Sequence, residues 1–390
     1  MDMSELKNSI KHEIENVRNK LVEVSLNIHR NPELGFHEYQ AVEWLTELLT
    51  GYGFYVEKGI CDLPTAFRAT YGSGKPVIAF LAEYDALPEA GHACGHNIIC
   101  AAAAGAAIGA RMALKEAQGS ITVLGTPAEE LHGGKIILVN RGAFKEIDVA
   151  LMVHPGTVDA ATTQALACQT IEVDFFGKAA HAAANPEKGI NALEAMILSY
   201  NAINSLRQHI KSSARIHGII TDGGRAPNIV PEHSAGTFLV RAENDLYLEE
   251  LKPKVLSCFE GAARATGCRM VYRWEETRYS AMRNNMELAK IFQRNLQSLG
   301  RNVLLLEPSA TLGSTDMGNV SQVVPSIHPF VAIAPEGVPT HSAEFARAAG
   351  SEIGMQGMID AAIALAWTAS DLLTNQDLIK KVRIEFESND

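Results

Sequence analysis

Short apolar runs alternate with helix-like segments through the first 165 residues of the chain. Three runs of strand length, at residues 76–84, 120–127 and 148–155, are separated by helix-like segments at 98–116 and 133–144. Continuous apolar runs of this length are typical of strands that are buried on both faces, and strand–helix alternation is typical of parallel α/β sheets. We therefore predict a mostly parallel α/β sheet with helices on both faces.

The pattern changes between residues 166 and 278. Four strand-like segments occur there, together with two helix-like segments at about 189–209 and 246–265. Their order is strand, helix, strand, strand, helix, strand, which is the order of a ferredoxin-like α+β fold. Because α/β character returns afterwards, we predict that residues 1–165 and 279–390 form one domain, and that residues 166–278 form a domain inserted into it.

Composition and charge narrow the classes of function. The chain has 390 residues, of which 47% are hydrophobic and 20% charged, a balance that is ordinary for a globular protein. The net charge of -11 argues against a nucleic-acid partner, which requires a basic surface. No apolar run resembles a membrane span or the core of a signal peptide, so no membrane partner is expected. The six scattered cysteines lack the spacing of a disulfide framework and predict reduced thiols in a cytoplasmic protein.

Metal-binding residue types follow the three predicted strands. Asp85 comes just after the first strand, Glu129 and Glu130 follow the second, and His154 lies at the end of the third. Parallel α/β sheets bind ligands at the carboxyl ends of their strands, so we expect these side chains to converge. Adjacent glutamates can then divide their roles, one reaching a metal and the other reaching water.

A cysteine and two histidines alternate at the end of the segment EYDALPEAGHACGHN. His92, Cys94 and His96, with Asp85 just upstream, offer the thiolate, imidazole and carboxylate ligands that transition metals prefer. His341, in the segment PTHSAEF, is a further candidate ligand. Because these residues are spread along the chain, we predict a metal centre that is assembled by the fold, unlike a local zinc knuckle with paired ligands.

A series of motifs along nearly the whole chain resembles the two-zinc aminoacylase and carboxypeptidase family. In chain order the motifs are HRNPELGFHE, DALP, HACGH, GTPAEE, VHPG, AHAA, APNIVPEHSAGTFLVR, GSTDMGNVSQ and PTHSAEF. Within that family the chain resembles an amidohydrolase branch. This branch includes hippurate hydrolase, indole-acetyl-amino-acid hydrolase, p-aminobenzoyl-glutamate hydrolase and the β-alanyl-lysine dipeptidase group.

The resemblance implies two divalent metal ions per subunit, with zinc favoured and manganese or cobalt as alternatives. Cys94 would bridge the two metals, and the other ligands would be His96, Glu130, His154 and His341. Asp85 would lie behind the site and orient a ligand. Glu129 would be the general base, taking a proton from the attacking water and passing it to the leaving amine. His92 and His132 are expected to be non-ligands.

For the inserted domain, the resemblance implies a role as a lid and in dimerisation. His181 would donate a hydrogen bond to the tetrahedral oxyanion, and in the dimers of this family that histidine reaches the site of the partner subunit. Asn228 and Arg241 resemble the clamp on the substrate carboxylate, which the planar fork of arginine fits well. Asp316 either lines the site or caps a helix.

These observations predict a cytoplasmic, homodimeric, metal-dependent amidohydrolase. Its substrates would be N-acyl amino acids, small dipeptides or p-aminobenzoyl-glutamate, each with a free carboxylate. Glu83 and Asn97 depart from the wider family pattern and are interpreted as marks of the dipeptidase-like subgroup. The alternatives are a non-catalytic relative that binds a small molecule, and a thiol redox protein that uses Cys94 and Cys100. Whether a different second subunit is needed stays open.

Overall fold

The computed structural model describes residues 2–306 and 313–388, which divide into two compact units. Unit 1 takes in the described chain up to Gln164, residues 282–306 and residues 316–388. Unit 2 is Ala165–Ala281 together with the described residues 313–315. The chain therefore leaves unit 1, forms unit 2 and returns to unit 1. The lid and dimerisation roles assigned to the inserted segment stay predictions.

Unit 1 contains strands and helices from both ends of the chain. The part before unit 2 contains α1 (Met3–Arg30), α2 (Tyr39–Gly51), β1 (Tyr55–Lys58), β2 (Phe67–Ser73), β3 (Val77–Ala82), α3 (His96–Ala110), β4 (Gly119–Gly125), α4 (Glu129–His132), α5 (Gly134–Asn140), β5 (Val149–Leu151) and β6 (His154–Gly156). In unit 2 the elements are β7 (Ala167–Phe176), α6 (Ala192–Leu206), β8 (Arg215–Asp222), β9 (His233–Ala242), α7 (Asp245–Thr266) and β10 (Arg269–Tyr279). Unit 1 then resumes with α8 (Met286–Gln297), α9 (Met317–Val323), β11 (Ser326–Ile327), β12 (Phe330–Ala332), α10 (Ala343–Ala349), α11 (Glu352–Thr374) and α12 (Gln376–Ser388).

The main sheet of unit 1 has the strand order β1-β2-β4-β3-β5-β11. Strands β4, β3, β5 and β11 are parallel neighbours, while β1 and β2 extend one edge in antiparallel pairing. Ile78 and Phe80 of β3 join a core with α1, α3 and α11, whereas Ala79 and Leu81 join a second core with α5 and α9. Because successive side chains of a strand face opposite sides, both faces are covered by helices. The prediction of a mostly parallel sheet with helices on both faces is confirmed.

The predicted strand at residues 148–155 is two separate strands. Strand β5 lies between β3 and β11 in the main sheet, whereas β6 forms a separate parallel pair with β12. The backbone N–H of His154 donates to the carbonyl of Pro329, 2.8 Å away, at the start of that second pairing. The break places His154 beyond the carboxyl end of β5, which is where a ligand of a parallel sheet is expected.

Helix α3 lies at the centre of unit 1. The stretch His96–Lys115, which is α3 and the 3-10 turn after it, has the length and apolar composition of a membrane span but is 83% buried within the protein. Its small alanine side chains lie in the core shared with α1 and α11. The helix starts at His96, so the core packing of α3 also fixes the position of that imidazole.

Unit 2 has the order β7-α6-β8-β9-α7-β10, and its sheet has the strand order β10-β7-β9-β8. All three strand pairings are antiparallel. Buried side chains of β7 and β9 form one core with those of α6 and α7. This is the predicted ferredoxin-like arrangement, with both helices packed on the sheet.

Candidate metal centre

The HACGH segment turns sharply before helix α3. Gly95 has φ 79°, and a Cβ atom at this position would lie 2.5 Å from Cγ of Pro155. Glycine is suited to such a position because it has no side chain and adopts positive φ at little cost. The turn brings Cys94 and His96 into one group of candidate ligands with His154.

His96 is oriented by Asp85 and is buried. Its Nδ1 donates to the backbone carbonyl of Asp85 at 2.9 Å and lies 3.0 Å from Oδ1 of the same residue. The other carboxylate oxygen of Asp85 accepts from the backbone N–H of Glu130 at 3.0 Å. Nε2 of His96 is buried and has no hydrogen-bond partner among the described residues. Asp85 therefore holds both the imidazole of His96 and the glutamate turn in place.

The imidazole of His154 is buried and held by one hydrogen bond. Its Nδ1 donates to the carbonyl of Pro155 at 2.7 Å, and its Nε2 lies 3.4 Å from Sγ of Cys94. Burial, assisted by the neighbouring His96, lowers the pKa of His154 to about 3. The imidazole is therefore neutral at physiological pH, with Nε2 available as an electron-pair donor.

The glutamates of the GTPAEE segment follow a constrained turn. Ala128 has φ 59°, a value that is unusual for a residue with a Cβ atom, and its N–H donates to the buried carboxylate of Glu38 at 2.8 Å. Helix α4 begins at the next residue. Oε1 of Glu130 is buried without a hydrogen-bond partner among the described residues and lies 3.5 Å from Nε2 of His341. Glu130 thus points toward the candidate ligands.

Two groups of candidate ligands have Cys94 in common. One group is Cys94, His96 and His154, and the other is Cys94, Glu130 and His341; within each group the ligand atoms lie within 4.8 Å of one another. The donors are one sulfur, imidazole nitrogens and a carboxylate oxygen, the set that zinc and related metals accept. Each group contains one buried atom that has no hydrogen-bond partner within the described part of the chain. This atom is Nε2 of His96 in the first group and Oε1 of Glu130 in the second. The residues present therefore fit divalent metal ions, which the two groups would hold with Cys94 as a common ligand.

Glu129 faces a second, more acidic part of the site. Oxygens of Glu129, Glu83 and Asp316 lie within 4.8 Å of one another. Burial, followed by repulsion from Glu83 and Asp316, raises the pKa of Glu129 well above its ordinary value. Glu129 also forms a close group with His96 and Glu130. Its carboxylate is therefore near the candidate ligands and surrounded by negative charge.

Three residues near the site were missed by the sequence interpretation. Lys135 is completely buried beside Glu83 and Asp316, Glu38 holds the Ala128 turn, and the buried ring of His328 lies 5.4 Å from that of His154. A signal existed for His328, because the segment IHPF repeats the His-Pro pair of VHPG. Lys135 could also have been noticed, because it is a single lysine at the start of the apolar segment that follows GTPAEE.

The remaining candidates of unit 1 lie outside the two ligand groups. His92 is buried and stacks on His29, and His132 is exposed and stacks on Phe36. Asp316 stands at the start of α9, but its side chain makes no capping bond and instead accepts from Lys135. Cys100 is a buried free thiol whose Sγ donates to a carbonyl of its own helix.

In unit 2, His181 and Asn228 lie next to each other. The backbone N–H after His181 donates to the carbonyl of Asn228 at 3.0 Å, and both side chains are exposed. Nδ1 of His181 accepts from the N–H groups of Ala183 and Ala184, at 3.3 and 3.2 Å. The proton of the neutral imidazole is therefore on Nε2, so the ring can donate a hydrogen bond outward.

Arg241 lies at the other end of strand β9. It pairs with Cys168, and its Nη1 donates to Oγ of Ser314 at 2.8 Å, whereas the chain carrying Asn228 continues beyond His233 at the opposite end. The eight residue steps from His233 to Arg241 span about 27 Å of extended chain. Within unit 2, Asn228 and Arg241 therefore lie toward opposite ends of β9, and their shared role in binding a substrate carboxylate stays a prediction.

Comparisons with known proteins show the family of the chain. Residues 79–362 match peptidase family M20/M25/M40. The chain is 39% identical to the Xaa-Arg dipeptidase of Mus musculus, covering 98% of this chain and 92% of the relative. It is 30% identical to a subunit of p-aminobenzoyl-glutamate hydrolase from Escherichia coli (strain K12), covering 99% of this chain and 95% of the relative.

Solved structures share the fold. A dinuclear metal-binding peptidase of the M20 family from Bacillus subtilis is 17% identical, with a TM-score of 0.71 over 92% of this chain and 99% of that one. An aminobenzoyl-glutamate utilization protein from Klebsiella pneumoniae is 18% identical, with a TM-score of 0.70 over 93% of this chain and 98% of that one. The chain therefore belongs to peptidase family M20/M25/M40, as the motifs predicted, and it is a hydrolase of the amidohydrolase and peptidase class.

Proposed function

We propose that this protein is a dipeptidase or related amidohydrolase, and that Cys94 would be a ligand common to two divalent cations. The observation that carries the proposal is the presence of Cys94 in both ligand groups, one with His96 and His154 and one with Glu130 and His341. A non-catalytic relative would be expected to lack a ligand or the base. Here every proposed ligand is present, and Glu129 lies among them, which supports catalysis.

When bound, such a pair of cations supplies Lewis acidity that makes water more acidic and polarises an amide carbonyl. Zinc is the favoured occupant because sulfur and nitrogen donors suit it, with manganese or cobalt as alternatives. The thiol of Cys94 has its pKa raised by burial, so a nearby cation is required to hold it as a thiolate.

Glu129 is proposed as the general base. Its carboxylate lies within one group with Glu130 and His96, so it reaches the space in front of the ligands. From this position its carboxylate would accept the proton of the attacking water. Glu129 would then hand that proton to the departing nitrogen.

His181 is proposed to stabilise the oxyanion, and Arg241 to bind the substrate carboxylate. The support for His181 is its outward Nε2–H, which the two backbone N–H groups on Nδ1 fix in place. Arg241 is half-buried, and its guanidinium donates to Ser314 through Nη1, which leaves other N–H groups for a carboxylate.

We propose a homodimer in which each site draws residues from two chains. The support is the separation of about 27 Å along β9 between the His181–Asn228 end and Arg241. Paired copies would allow the His181–Asn228 end of one chain to serve the site of its partner. The free cysteines further support a proposed location in the reducing cytoplasm.

The substrate is proposed to be a dipeptide or N-acyl amino acid with a free carboxylate. The 39% identical relative is named a Xaa-Arg dipeptidase, and the 30% identical one is named for the hydrolysis of p-aminobenzoyl-glutamate. In both cases the amine side of the scissile amide is an amino acid. A basic C-terminal residue is the first choice because the relative of higher identity is named for arginine.

Metal reconstitution tests the proposal. The protein is stripped with a chelator and reloaded separately with zinc, manganese or cobalt. Each form is assayed for amine release from Xaa-Arg dipeptides, β-alanyl dipeptides, N-acyl amino acids and p-aminobenzoyl-glutamate. Metal-dependent release from at least one class is expected. Absence of release from all of them by every metal-loaded form would contradict the proposal.

A further inference from the structure

Lys135 is a completely buried lysine beside the proposed base. Its Nζ donates to Oδ1 of Asp316 at 2.9 Å and to Oε1 of Glu83, and its backbone N–H donates to Oδ2 of Asp316 at 2.9 Å. Lysine is almost never fully buried unless it is paired, and here both partners are themselves buried. The position therefore carries a fixed positive charge within the protein.

The ion pairs of Lys135 join three separate parts of unit 1. Glu83 follows β3, Lys135 lies in the first turn of α5, and Asp316 immediately precedes α9. These parts meet where the oxygens of Glu83, Asp316 and Glu129 come within 4.8 Å of one another. The ammonium thus sits between two of the three carboxylates of this acidic group.

The backbone couples Lys135 tightly to Glu129. The N–H of Gly134 donates to the carbonyl of Ala128 at 3.1 Å, which closes the turn that contains Glu129. A Cβ atom on Gly134 would lie 1.8 Å from the carbonyl oxygen of Pro127, so the two ends of the turn are in direct contact. A shift of Lys135 would therefore be transmitted to the glutamate turn.

We infer that Lys135 is a positioning residue for Glu129. By pairing with Glu83 and Asp316, its ammonium holds the ends of β3, α5 and α9 around the base and fixes the direction of the Glu129 carboxylate. Burial alone would lower the pKa of Lys135, but Asp316 and Glu83 outweigh it and raise that pKa, so the charge persists across the working pH range. The inference rests on the proposed role of Glu129 as the base.

The test compares Lys135→Met with the double variant Lys135→Met/Glu83→Gln. A small displacement of a catalytic group can cost about 100-fold in rate, so kcat of Lys135→Met should fall about 100-fold. KM should change by less than about threefold and metal content should stay as in the wild type, because the proposed ligands are untouched. Lys145→Met, at an exposed position, is the matched control and should behave as the wild type.

The double variant separates positioning from simple charge balance. Removing the unpaired charge of Glu83 should raise the Tm above that of Lys135→Met, because an uncompensated buried charge destabilises the fold. If Lys135 positions Glu129, kcat stays low in the double variant although the Tm recovers. Recovery of kcat together with the Tm would overturn the inference, as would an unchanged kcat in Lys135→Met.

Hydrogen exchange supplies a measurement that does not need turnover. The amides of residues 128–135 should exchange faster in both Lys135 variants than in the wild type, because the turn has lost its anchor. Unchanged exchange would overturn the inference even for a chain without activity on any tested amide. If the wild type shows no turnover but the Lys135 variants exchange faster than the wild type, the result counts against the proposed function and still supports the anchoring by Lys135.

Discussion

At the scale of the residue, the candidate site depends on how each side chain is held by its neighbours. Asp85 orients His96 with one part of its carboxylate and binds the backbone of Glu130 with the other. Pro155 fixes the tautomer of His154 through its carbonyl. Neighbours that orient ligands commonly tune metal affinity and activity, so these contacts are expected to affect metal binding at the proposed site.

Replacement of Glu129 by glutamine should separate chemistry from metal binding. Because a general base contributes about 10²- to 10⁴-fold, kcat should fall by about that factor. The proposed ligands are intact, so the metal content measured by mass spectrometry should equal that of the wild type. Glu57→Gln, on an exposed strand position, is the control. Full activity of Glu129→Gln would refute its role as the base.

His181→Ala should lower kcat much more than it raises KM. The imidazole is proposed to interact with the oxyanion, which exists only during the reaction, so its loss should cost about 10²- to 10³-fold in kcat. Steady-state kinetics on the best substrate of the panel would measure both constants. A change confined to KM would instead place His181 in ground-state binding.

The residues that could be predicted from sequence are those whose chemistry shows in a short motif. Cys94, His96 and Glu130 lie in motifs with metal-binding side chains after predicted strands, and the structure brings them together. The roles of Lys135 and Glu38 did not follow from sequence, because they depend on partners far along the chain, Asp316 and Ala128.

At the scale of the element, the turn between β4 and α5 decides where the two glutamates point. It combines a positive φ at Ala128 with the buried carboxylate of Glu38 and the close contact of Gly134 with Pro127. Backbone strain of this kind persists only when the surrounding contacts hold it in place. The turn is therefore expected to be sensitive to changes that look conservative.

Gly134→Ala should destabilise the protein and impair turnover. The added methyl group would overlap the carbonyl oxygen of Pro127, at a cost of about 1–3 kcal/mol. Gly261→Ala is the matched control, because Gly261 is an exposed residue of helix α7 with nothing within 4 Å of the added carbon. The control should instead stabilise by about 0.5–1 kcal/mol. Equal changes in Tm for Gly134→Ala and Gly261→Ala would contradict this description of the turn.

Glu38 should make stability depend on pH. Burial raises the pKa of Glu38 from 4.5 to about 7, so the folded protein holds a proton that the unfolded chain releases. Its contribution to stability is therefore present below pH 4.5 and is lost as the pH rises toward about 7, by up to about 3 kcal/mol.

Glu38→Gln removes this titration while keeping an acceptor for Ala128. With metal removed by a chelator, the Tm of the variant should improve relative to the wild type as the pH rises from about 5 to about 8. If the difference in Tm between Glu38→Gln and the wild type does not vary with pH, Glu38 does not titrate in this way.

The elements themselves were largely predictable from their apolar pattern, and the exceptions have physical reasons. The run at 148–155 reads as one strand, yet tertiary pairing with β11 and β12 divides it into β5 and β6. Pairing partners distant in sequence leave no mark in the local pattern. Strands β1 and β2 were missed because a half-exposed antiparallel edge lacks a continuous apolar run.

At the scale of the whole molecule, the proposed dimer makes a specific prediction about mixed chains. Glu129→Gln and His181→Ala should each be nearly inactive alone. After subunit exchange, each mixed dimer should contain one site with both residues intact, so activity should recover to about a quarter of the wild-type value. Absence of recovery in a mixture shown to contain mixed dimers would exclude sites shared between chains.

The central claim is that two cations share Cys94, and counting metal tests it most directly. Metal per chain would be measured after zinc reconstitution for the wild type, for Cys94→Ala, and for Cys100→Ala as a buried control that lies in neither ligand group. The account predicts two ions in the wild type and in Cys100→Ala, and loss of both from Cys94→Ala. Two tightly bound ions in Cys94→Ala would contradict it.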